Sequence, residues 1–227
     1  MPTLILAALK EELAPIARVL DPGDFRLVCT GVGPERAAQA TRQHATPGSV
    51  IVSTGCCGGL VPGASPGMLV VPRAVLHVAT MVTEAPPPDV ELRRLSRRLA
   101  EQLGLHCSAR PLATVENALL TPRSKRECHH RCGAVVVDME TAAIAEVAAQ
   151  LGLPYVSIRV VLDTVDESLP PMPGPMRDAR GRLQPRRLLD AARRPRDLLT
   201  LASLAYRLRS ASGGLGRCIA GLMRELG

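Results

Sequence analysis

An apolar run of strand length that changes abruptly into a helical pattern is the feature that most constrains this fold. Residues 134–137 are uniformly apolar, the run stops at Asp138, and a helical pattern opens at Glu140. In open α/β sheets such junctions face the ligand crevice, because ligands bind beyond the carboxyl ends of the strands. We expect Asp138 to cap the helix, while Glu140 either complements the helix dipole or faces a ligand.

Strand-length apolar runs alternate with helical patterns along most of the chain. The uniformly apolar runs at residues 3–8 and 155–162 are typical of buried parallel strands, and a further run covers residues 49–53. The alternation predicts an α/β fold of three layers, in which helices cover both faces of a mostly parallel sheet. A chain of 227 residues, 46% of them hydrophobic, is long enough to bury a single-domain core.

Three carboxylates follow strand ends and are expected to share one crevice. Glu12 follows the first strand, Glu140 follows the apolar run described above, and Asp163 ends the last clear strand. A glycine-rich stretch at residues 54–60 follows another strand, and we expect it to form a loop beside them. Convergent acidic groups next to such a loop indicate an enzyme crevice.

Two other motifs carry weaker signals. Residues 31–36 contain the first half of a dinucleotide-binding fingerprint, but Arg36 replaces its last glycine, so a close turn is the better interpretation. Two cysteines and two histidines lie within residues 128–132, yet zinc prefers four ligands in recognised spacings. We therefore predict neither a metal site nor a bound cofactor.

The positive charge of the protein is concentrated in its C-terminal quarter. Residues 1–171 carry 16 Lys and Arg against 17 Asp and Glu, a net charge of −1, whereas residues 172–227 carry 12 Arg against 4 acidic residues, a net charge of +8. We predict a catalytic domain at 1–171 and a basic, proline- and arginine-rich helical extension at 172–227, with helices at 185–192, 195–209 and 216–226. A solvated helical face and a surface for anionic lipid both remain open for this extension.

The cysteines and the N-terminus indicate the compartment. Seven cysteines follow no disulfide framework, which favours a reducing environment. The short apolar N-terminal run meets Lys10, unlike a signal peptide, and no stretch reaches the roughly 18 apolar residues of a membrane span. We expect a cytoplasmic protein, with peripheral contact at the inner membrane face through the basic extension. Aromatic residues form only 1% of the chain, which argues against nucleic-acid binding by base stacking.

Four segments together resemble the nucleoside phosphorylase/nucleosidase superfamily. They are residues 7–12, 53–60, 137–145 and 159–163, and the resemblance spans residues 3–167. Their order and spacing are similar to those of methylthioadenosine/S-adenosylhomocysteine nucleosidases. The resemblance implies a three-layer αβα phosphorylase-like fold with a mixed, mostly parallel sheet, a small-molecule nucleoside substrate and a homo-oligomer.

The resemblance also implies roles for individual residues. The residue matching Asp163 donates a proton toward N7 of the purine, the one matching Glu12 positions or deprotonates the attacking water, and the one matching Glu140 binds the ribose hydroxyls. These roles suit N-glycosidic cleavage, which develops positive charge on the ribose and negative charge on the base. The other substrate-binding residues that the resemblance implies are Met139 beneath the sugar, Thr54, Gly55 and Cys56 in the glycine-rich segment, and Ala118 and Leu119 near the base.

A narrower resemblance concerns segments outside these motifs. Residues 114–122, residues 163–171 and the arginine-rich C-terminal region are similar to hopanoid-associated phosphorylases. This similarity implies adenosylhopane as the favoured substrate, release of adenine, and a place in hopanoid biosynthesis. The alternative is a methylthioadenosine/S-adenosylhomocysteine nucleosidase, and the alternative of another class is a non-catalytic nucleoside-binding or membrane-docked scaffold.

Two departures from the family pattern bear on the nucleophile and the base. Ser53 stands where related phosphorylases carry a phosphate-binding arginine, and Cys56 stands where they carry a serine. Cleavage by water is therefore as compatible with the sequence as cleavage by inorganic phosphate acting as a co-substrate. The usual phenylalanine against the base has no match at Ala118 or Leu119, so an aliphatic contact would replace it.

Overall fold

The structure, a computed structural model, describes residues 1–20, 23, 25–170 and 195–227, with the side chains of the last helix from residue 203 onward except residue 205. The strands are β1 (Thr3–Ala7), β2 (Phe25–Cys29), β3 (Val50–Gly59), β4 (Leu69–Val70), β5 (Val75–Val78), β6 (Val82–Glu84), β7 (Cys107–Ser108), β8 (Leu112–Val115), β9 (Val136–Asp138) and β10 (Tyr155–Asp163). The helices are α1 (Lys10–Ala17), α2 (Pro34–His44), α3 (Val90–Gln102), α4 (Pro122–Cys132), α5 (Thr141–Gln150) and α6 (Pro195–Leu226).

These strands form one mixed sheet. Their order is β6-β5-β8-β9-β3-β10-β4-β7, and β1 pairs with both β3 and β2. Among the described residues, six strand pairings are parallel, and the antiparallel ones are β3–β9, β4–β10 and β5–β6. The prediction of a mixed, mostly parallel sheet is therefore confirmed.

Helices cover both faces of this sheet because successive strand residues point to opposite sides. On one face, Ile144 of α5 and Ala37 of α2 pack against a cluster that contains Leu4 and Leu6. On the other face, the cluster around Ile5 includes buried residues of α1, α3 and α6. The three-layer αβα architecture is confirmed.

The glycine-rich segment corrects one prediction. Residues 54–59 continue β3 instead of forming a loop; residues 54–58 pair in parallel with β10 from Ile158 to Asp163, and Gly59 pairs with Val136 of β9. The long β10 strand provides a partner for residues 54–58 of this segment. Glycine therefore serves here as a strand residue that leaves room for neighbouring side chains.

The C-terminal region forms part of the main core. The helices predicted at 195–209 and 216–226 are one continuous helix, α6, whose Leu215, Cys218, Ile219 and Leu222 are buried with the sheet. The helix predicted at 185–192 lies outside the described residues, and the division of the chain at residue 171 stays a prediction. Among the helices that the structure describes, none is long and apolar enough to cross a membrane.

Candidate active site

A cavity of about 200 Å³ lies at the carboxyl ends of β1, β8, β9 and β10, beside the last residues of β3. Its wall brings together distant segments of the chain, as expected for a sheet of this type. Seven of the nine predicted site residues line it: Glu12, Cys56, Ala118, Leu119, Met139, Glu140 and Asp163. Thr54 and Gly55 are not among the lining residues.

Two larger cavities lie elsewhere on the described surface, with volumes of about 590 and 400 Å³. The larger lies near the start of β3, and two of its charged groups, Glu91 and Arg94, form an exposed pair with 78% and 70% of their side chains accessible. Solvated charges of this kind bind ligands weakly. The smaller cavity of about 200 Å³ is the better candidate because its carboxylates are buried.

Glu12 is held in the first turn of α1 by two backbone amides. Its Oε2 accepts a hydrogen bond of 2.9 Å from the amide of Leu9, and its Oε1 accepts one of 2.8 Å from the amide of Cys56. Burial raises the pKa of the Glu12 carboxyl, while the Cys56 amide and the charge of Arg159 oppose this rise. The carboxylate is thereby fixed between α1 and β3 at the cavity wall.

Glu140 lies at the N-terminus of α5 and is bound by a glycine turn. Its Oε1 accepts a hydrogen bond of 2.9 Å from the amide of Gly33. Burial and then the negative charge of Asp138 raise the pKa of Glu140 to about 7, although Arg159 opposes the rise. Near neutral pH the carboxyl is therefore partly protonated, so it can both donate to and accept from a hydroxyl.

Asp163 is the last residue of β10 and forms a buried ion pair. Lys125 Nζ on α4 lies 2.5 Å from Asp163 Oδ2. Burial raises the pKa of the Asp163 carboxyl, whereas the hydrogen bond and charge of Lys125 lower it. Burial and the Lys125 ammonium therefore act in opposite directions on the pKa of this carboxyl.

Asp138 was predicted to be the N-cap of α5, but that position is Glu140, and Asp138 lies two residues before it in a buried network that includes the first amide of the helix. Its Oδ2 accepts a hydrogen bond of 3.2 Å from the amide of Thr141, and its Oδ1 accepts one of 2.7 Å from the hydroxyl of Thr114. Oδ2 also lies 2.8 Å from Arg159 Nη2. The strand end and the helix start are therefore joined by one carboxylate, whose burial is compensated by a cation.

Arg159 of β10 supplies the central positive charge beneath the site. Its side chain is 1% exposed, and its Nη1 donates a hydrogen bond of 2.8 Å to the carbonyl of Thr54. The same guanidinium opposes the rise in pKa of both Glu12 and Glu140. One buried cation therefore favours the ionised forms of several carboxylates around the cavity.

Thr54 and Gly55 support the site from within β3. The Thr54 side chain is fully buried and donates a hydrogen bond of 3.0 Å to the carbonyl of Ile158, so it does not reach the cavity. Gly55 has a φ of 126°, and a Cβ there would lie 2.7 Å from Glu12 Oε1. Glycine is therefore required at this position for the approach of Glu12, because any larger residue would collide with the carboxylate.

The cysteines near the site are not activated nucleophiles. Burial and then the negative charge of Glu12 raise the pKa of the Cys56 thiol well above its ordinary value, which keeps it protonated. Farther away, Cys132 Sγ donates to the carbonyl of Cys128 at 3.0 Å, and His129 Nδ1 lies 2.7 Å from the carbonyl of Ala134. Within the described part of the chain, no three His, Cys, Asp or Glu side chains are grouped to hold a metal ion.

Several residues of the site were not predicted from the sequence. Lys125 had one available signal, since it is one of only two lysines in a chain with 26 arginines. From the sequence, Arg159 was noted only as part of the segment 159–163 and Gly33 only as part of the turn at 31–36, and neither was predicted to contact a site carboxylate. The apolar lining residues that were not predicted are Ala8, Leu9, Val32, Val115, Val137, Leu162 and Leu169.

Known proteins that are similar to this chain in sequence include nucleosidases and a hydrolase. It is 30% identical over 169 residues to the 5′-methylthioadenosine/S-adenosylhomocysteine nucleosidase of Geobacillus kaustophilus, which covers 65% of this chain and 70% of that protein. It is 31% identical over 171 residues to the futalosine hydrolase of Streptomyces coelicolor, which covers 63% and 69%. The relatives support the predicted class of enzyme.

Solved structures share the fold at lower identity. The 5′-methylthioadenosine/S-adenosylhomocysteine nucleosidase of Neisseria meningitidis, in complex with methylthio-immucillin-A, has a TM-score of 0.74 at 19% identity and covers 99% of this chain and 100% of its own. Futalosine hydrolase of Helicobacter pylori has a TM-score of 0.74 at 15% identity, with 98% and 97% covered. The family model of the Phosphorylase superfamily matches residues 20–172. The chain therefore belongs to the Phosphorylase superfamily.

Proposed function

We propose that this protein cleaves the N-ribosidic bond of an adenine nucleoside, with water as the nucleophile. The observation that carries the proposal is the grouping of three buried carboxylates, Glu12, Glu140 and Asp163, around one cavity. Such a reaction needs an acid at the base, a group that positions water and a ligand for the ribose hydroxyls. Relatives named as a nucleosidase and a hydrolase support the same class of reaction.

In the proposed mechanism, Asp163 donates a proton to N7 of adenine as the bond between C1′ and N9 breaks. The bonding electrons leave with the base, and positive charge develops on the ribose. Glu12 positions the water that attacks C1′ and accepts its proton, while Glu140 binds the ribose hydroxyls. The products are adenine and the free ribosyl compound.

The remaining cavity residues hold the nucleoside by contact. Met139 is half-buried at the cavity wall and is assigned to the face of the sugar. Ala118 and Leu119 are assigned to the base, where aliphatic contact replaces aromatic stacking. Thr54 and Gly55 are assigned an indirect part, because they support Glu12 and Arg159 from β3.

Water is favoured over inorganic phosphate by the charges at the cavity. Its lining, within the described residues, includes carboxylates but no Lys, Arg or His. A phosphate dianion at this place would meet negative charge, because the nearby cations Lys125 and Arg159 lie behind the lining and are already paired with Asp163 and Asp138. Both named relatives have hydrolytic names, which agrees with this choice.

The favoured substrate is adenosylhopane, and methylthioadenosine or S-adenosylhomocysteine is the second candidate. Leu9, Val32, Leu162 and Leu169 make much of the cavity wall apolar, which suits a nucleoside with a hydrophobic 5′ substituent. The resemblance of the flanking segments to hopanoid-associated phosphorylases supports the first candidate. The names of the relatives support the second.

One assay tests the proposal. The purified protein is incubated with adenosylhopane, methylthioadenosine, S-adenosylhomocysteine, adenosine and futalosine, with and without phosphate, and release of the free base is measured. We expect adenine release that does not depend on phosphate, fastest from the nucleoside with an apolar 5′ substituent. If base release depended strictly on phosphate, phosphate and not water would be the nucleophile. If no substrate released its base, the proposal that the protein is an enzyme would be contradicted.

Three further features stay predictions. They are a homo-oligomer, a cytoplasmic location, and peripheral contact of the arginine-rich C-terminal region with anionic lipid. Because α6 contributes buried residues to the core, lipid contact is better tested by substitutions on its exposed face than by truncation.

A further inference from the structure

Lys125 is buried in an unusual environment for a lysine. Its side chain is 1% exposed, although it lies on α4, a helix whose other side chains are mainly polar. Its ammonium group contacts three oxygens: Asp163 Oδ2 at 2.5 Å, the carbonyl of Thr164 at 2.7 Å and the carbonyl of Glu167 at 2.8 Å. An ammonium has three hydrogens to donate, so all of them are used.

These three acceptors all belong to the end of β10 and the segment that follows it. Lys125 therefore joins α4 to Asp163 and to the start of residues 164–169. The same segment is joined a second time, because the amide of Leu169 donates a hydrogen bond of 2.8 Å to the carbonyl of Leu120. Since Leu169 also lines the cavity, the lysine holds both the acid and part of the cavity wall.

An arginine at position 125 would not make the same three hydrogen bonds. The guanidinium is a planar fork suited to one flat carboxylate, whereas the ammonium is a compact charge whose donors spread in three directions. The chain uses arginine in 26 of its 28 basic positions, yet it carries lysine at this buried one. The geometry of the three acceptors accounts for that choice.

We propose that Lys125 is a positioning residue for the acid step, which orients Asp163 and holds a fixed positive charge against its carboxyl. This inference rests on the proposed function, in which Asp163 protonates the leaving base. Lys125 keeps its three hydrogens throughout, because each has a fixed acceptor. When Asp163 has given its proton to N7, the adjacent ammonium stabilises the carboxylate that remains, and a proton from solvent restores the acid for the next cycle.

The charged and titratable groups that face Asp163 come from four elements. Lys125 approaches from α4, Cys57 from β3, Glu167 from the segment after β10, and Arg207 from α6. Arg207 Nη1 donates to both carboxylate oxygens of Glu167, at 2.8 and 2.7 Å, so these two charges largely compensate each other. Lys125 is the group that directly contacts the Asp163 carboxyl, and its hydrogen bond lowers a pKa that burial raises.

The test compares Lys125→Met, Lys125→Gln and Lys125→Arg with Arg126→Met, a matched control on the same helix. Arg126 is half-exposed and pairs with Asp166 at the surface. In the neutral Lys125 variants the basic limb of the pH–rate profile should move to higher pH by about one unit or more, because the neighbouring positive charge is lost. The plateau kcat should fall by about tenfold or more, because the acid is no longer oriented.

The charge-conserving variant separates charge from geometry. Lys125→Arg should lower kcat while its basic limb stays near that of the wild type, and Arg126→Met should change neither. Lys125→Gln still offers two amide hydrogens to the backbone carbonyls, which keeps the test usable where Lys125→Met fails to fold. An unchanged pH limb in a folded neutral variant would overturn the inference.

A measurement without substrate keeps the inference separate from the proposed function. The proton occupancy of Asp163 is followed by NMR of protein labelled with ¹³C at the aspartate carboxyls, and the Asp163→Asn spectrum assigns the signal. The midpoint for Asp163 should rise by about one pH unit or more in the neutral variants. An unchanged midpoint contradicts the role of Lys125, whereas a wild-type protein that releases no base contradicts only the proposed function.

Discussion

Gly33 and Glu140 lie 107 residues apart in the chain, and the amide of Gly33 donates a hydrogen bond of 2.9 Å to Glu140 Oε1. The turn that contains Gly33 resembles half of a dinucleotide-binding fingerprint, but its amide contacts a protein carboxylate. Gly33 has a φ of 105°, which a residue with a side chain rarely adopts, so the amide is aimed by a conformation that favours glycine. A turn and a helix start thus jointly position the proposed ribose ligand.

Stability should depend on pH through Glu140. Its pKa is about 7 in the folded protein against 4.5 for an exposed glutamate, because burial favours the neutral form. A raised pKa stabilises the fold below pH 4.5, and that contribution is lost as the pH rises through 7. The unfolding free energy of Glu140→Gln should therefore increase relative to wild type by roughly 3 kcal/mol between pH 4.5 and 7 or slightly above.

Urea unfolding at several pH values measures this difference. Glu146→Gln is the matched control, because Glu146 is an exposed glutamate on the same helix. Its unfolding free energy should follow that of the wild type across the range. Parallel curves for Glu140→Gln and wild type would show that Glu140 has an ordinary pKa.

Removal of the proposed acid should abolish most activity. Asp163→Asn keeps the shape of the side chain but cannot donate the carboxyl proton, so we expect kcat to fall by about 10²- to 10⁴-fold. Asp166→Asn is the control, because Asp166 pairs with Arg126 at the surface, and it should retain activity. Circular dichroism of both variants establishes that they are folded, and near-normal turnover by folded Asp163→Asn would assign the acid to another residue.

Gly55 should tolerate no side chain. A Cβ at this position would lie 2.7 Å from Glu12 Oε1, and the positive φ adds strain, so Gly55→Ala should destabilise the protein by about 2 kcal/mol or more. The displaced Glu12 should also lower kcat. Gly63→Ala has no atom within 4 Å of the added Cβ, and its unfolding free energy should stay within about 0.5 kcal/mol of wild type. Equal stability of the two variants would mean that Glu12 moves away without cost.

Contact with anionic lipid should depend on the exposed face of α6. Arg209 and Arg217 are exposed on this helix, and their replacement by Glu removes two positive charges without touching the buried face. Cosedimentation with vesicles rich in anionic lipid should weaken by about fivefold for each lost arginine. The double change of Arg94 and Arg98 to Glu on α3 alters the net charge equally and should have a smaller effect. Equal effects of the two double variants would indicate a nonspecific response to net charge.

The sequence by itself was sufficient for the architecture and for the identity of the carboxylates. Uniformly apolar runs that alternate with helical patterns predict a mostly parallel sheet between two helical layers, because each pattern reports which faces of a segment are buried. The prediction that Asp138 serves the start of the following helix holds in part, because capping depends on neighbours within a few residues: its side chain accepts from the first amide of α5, although the N-cap itself is Glu140. Glu12, Glu140 and Asp163 could be named because each follows a strand, and parallel strands end on the same side.

Only the tertiary structure decided which groups bind these carboxylates and whether residues 54–59 form a strand or a loop. Residues 54–59 have loop composition, yet they form a strand because β10 runs beside them. Lys125 lies 38 residues from Asp163, and no local pattern marks their ion pair. Hydrogen bonds and ion pairs between distant segments depend on three-dimensional distance, which periodicity does not encode. The sequence therefore indicated which carboxylates reach the cavity, and the packing of α4, β3 and β10 determined the rest of its wall and how each carboxylate is held and charged.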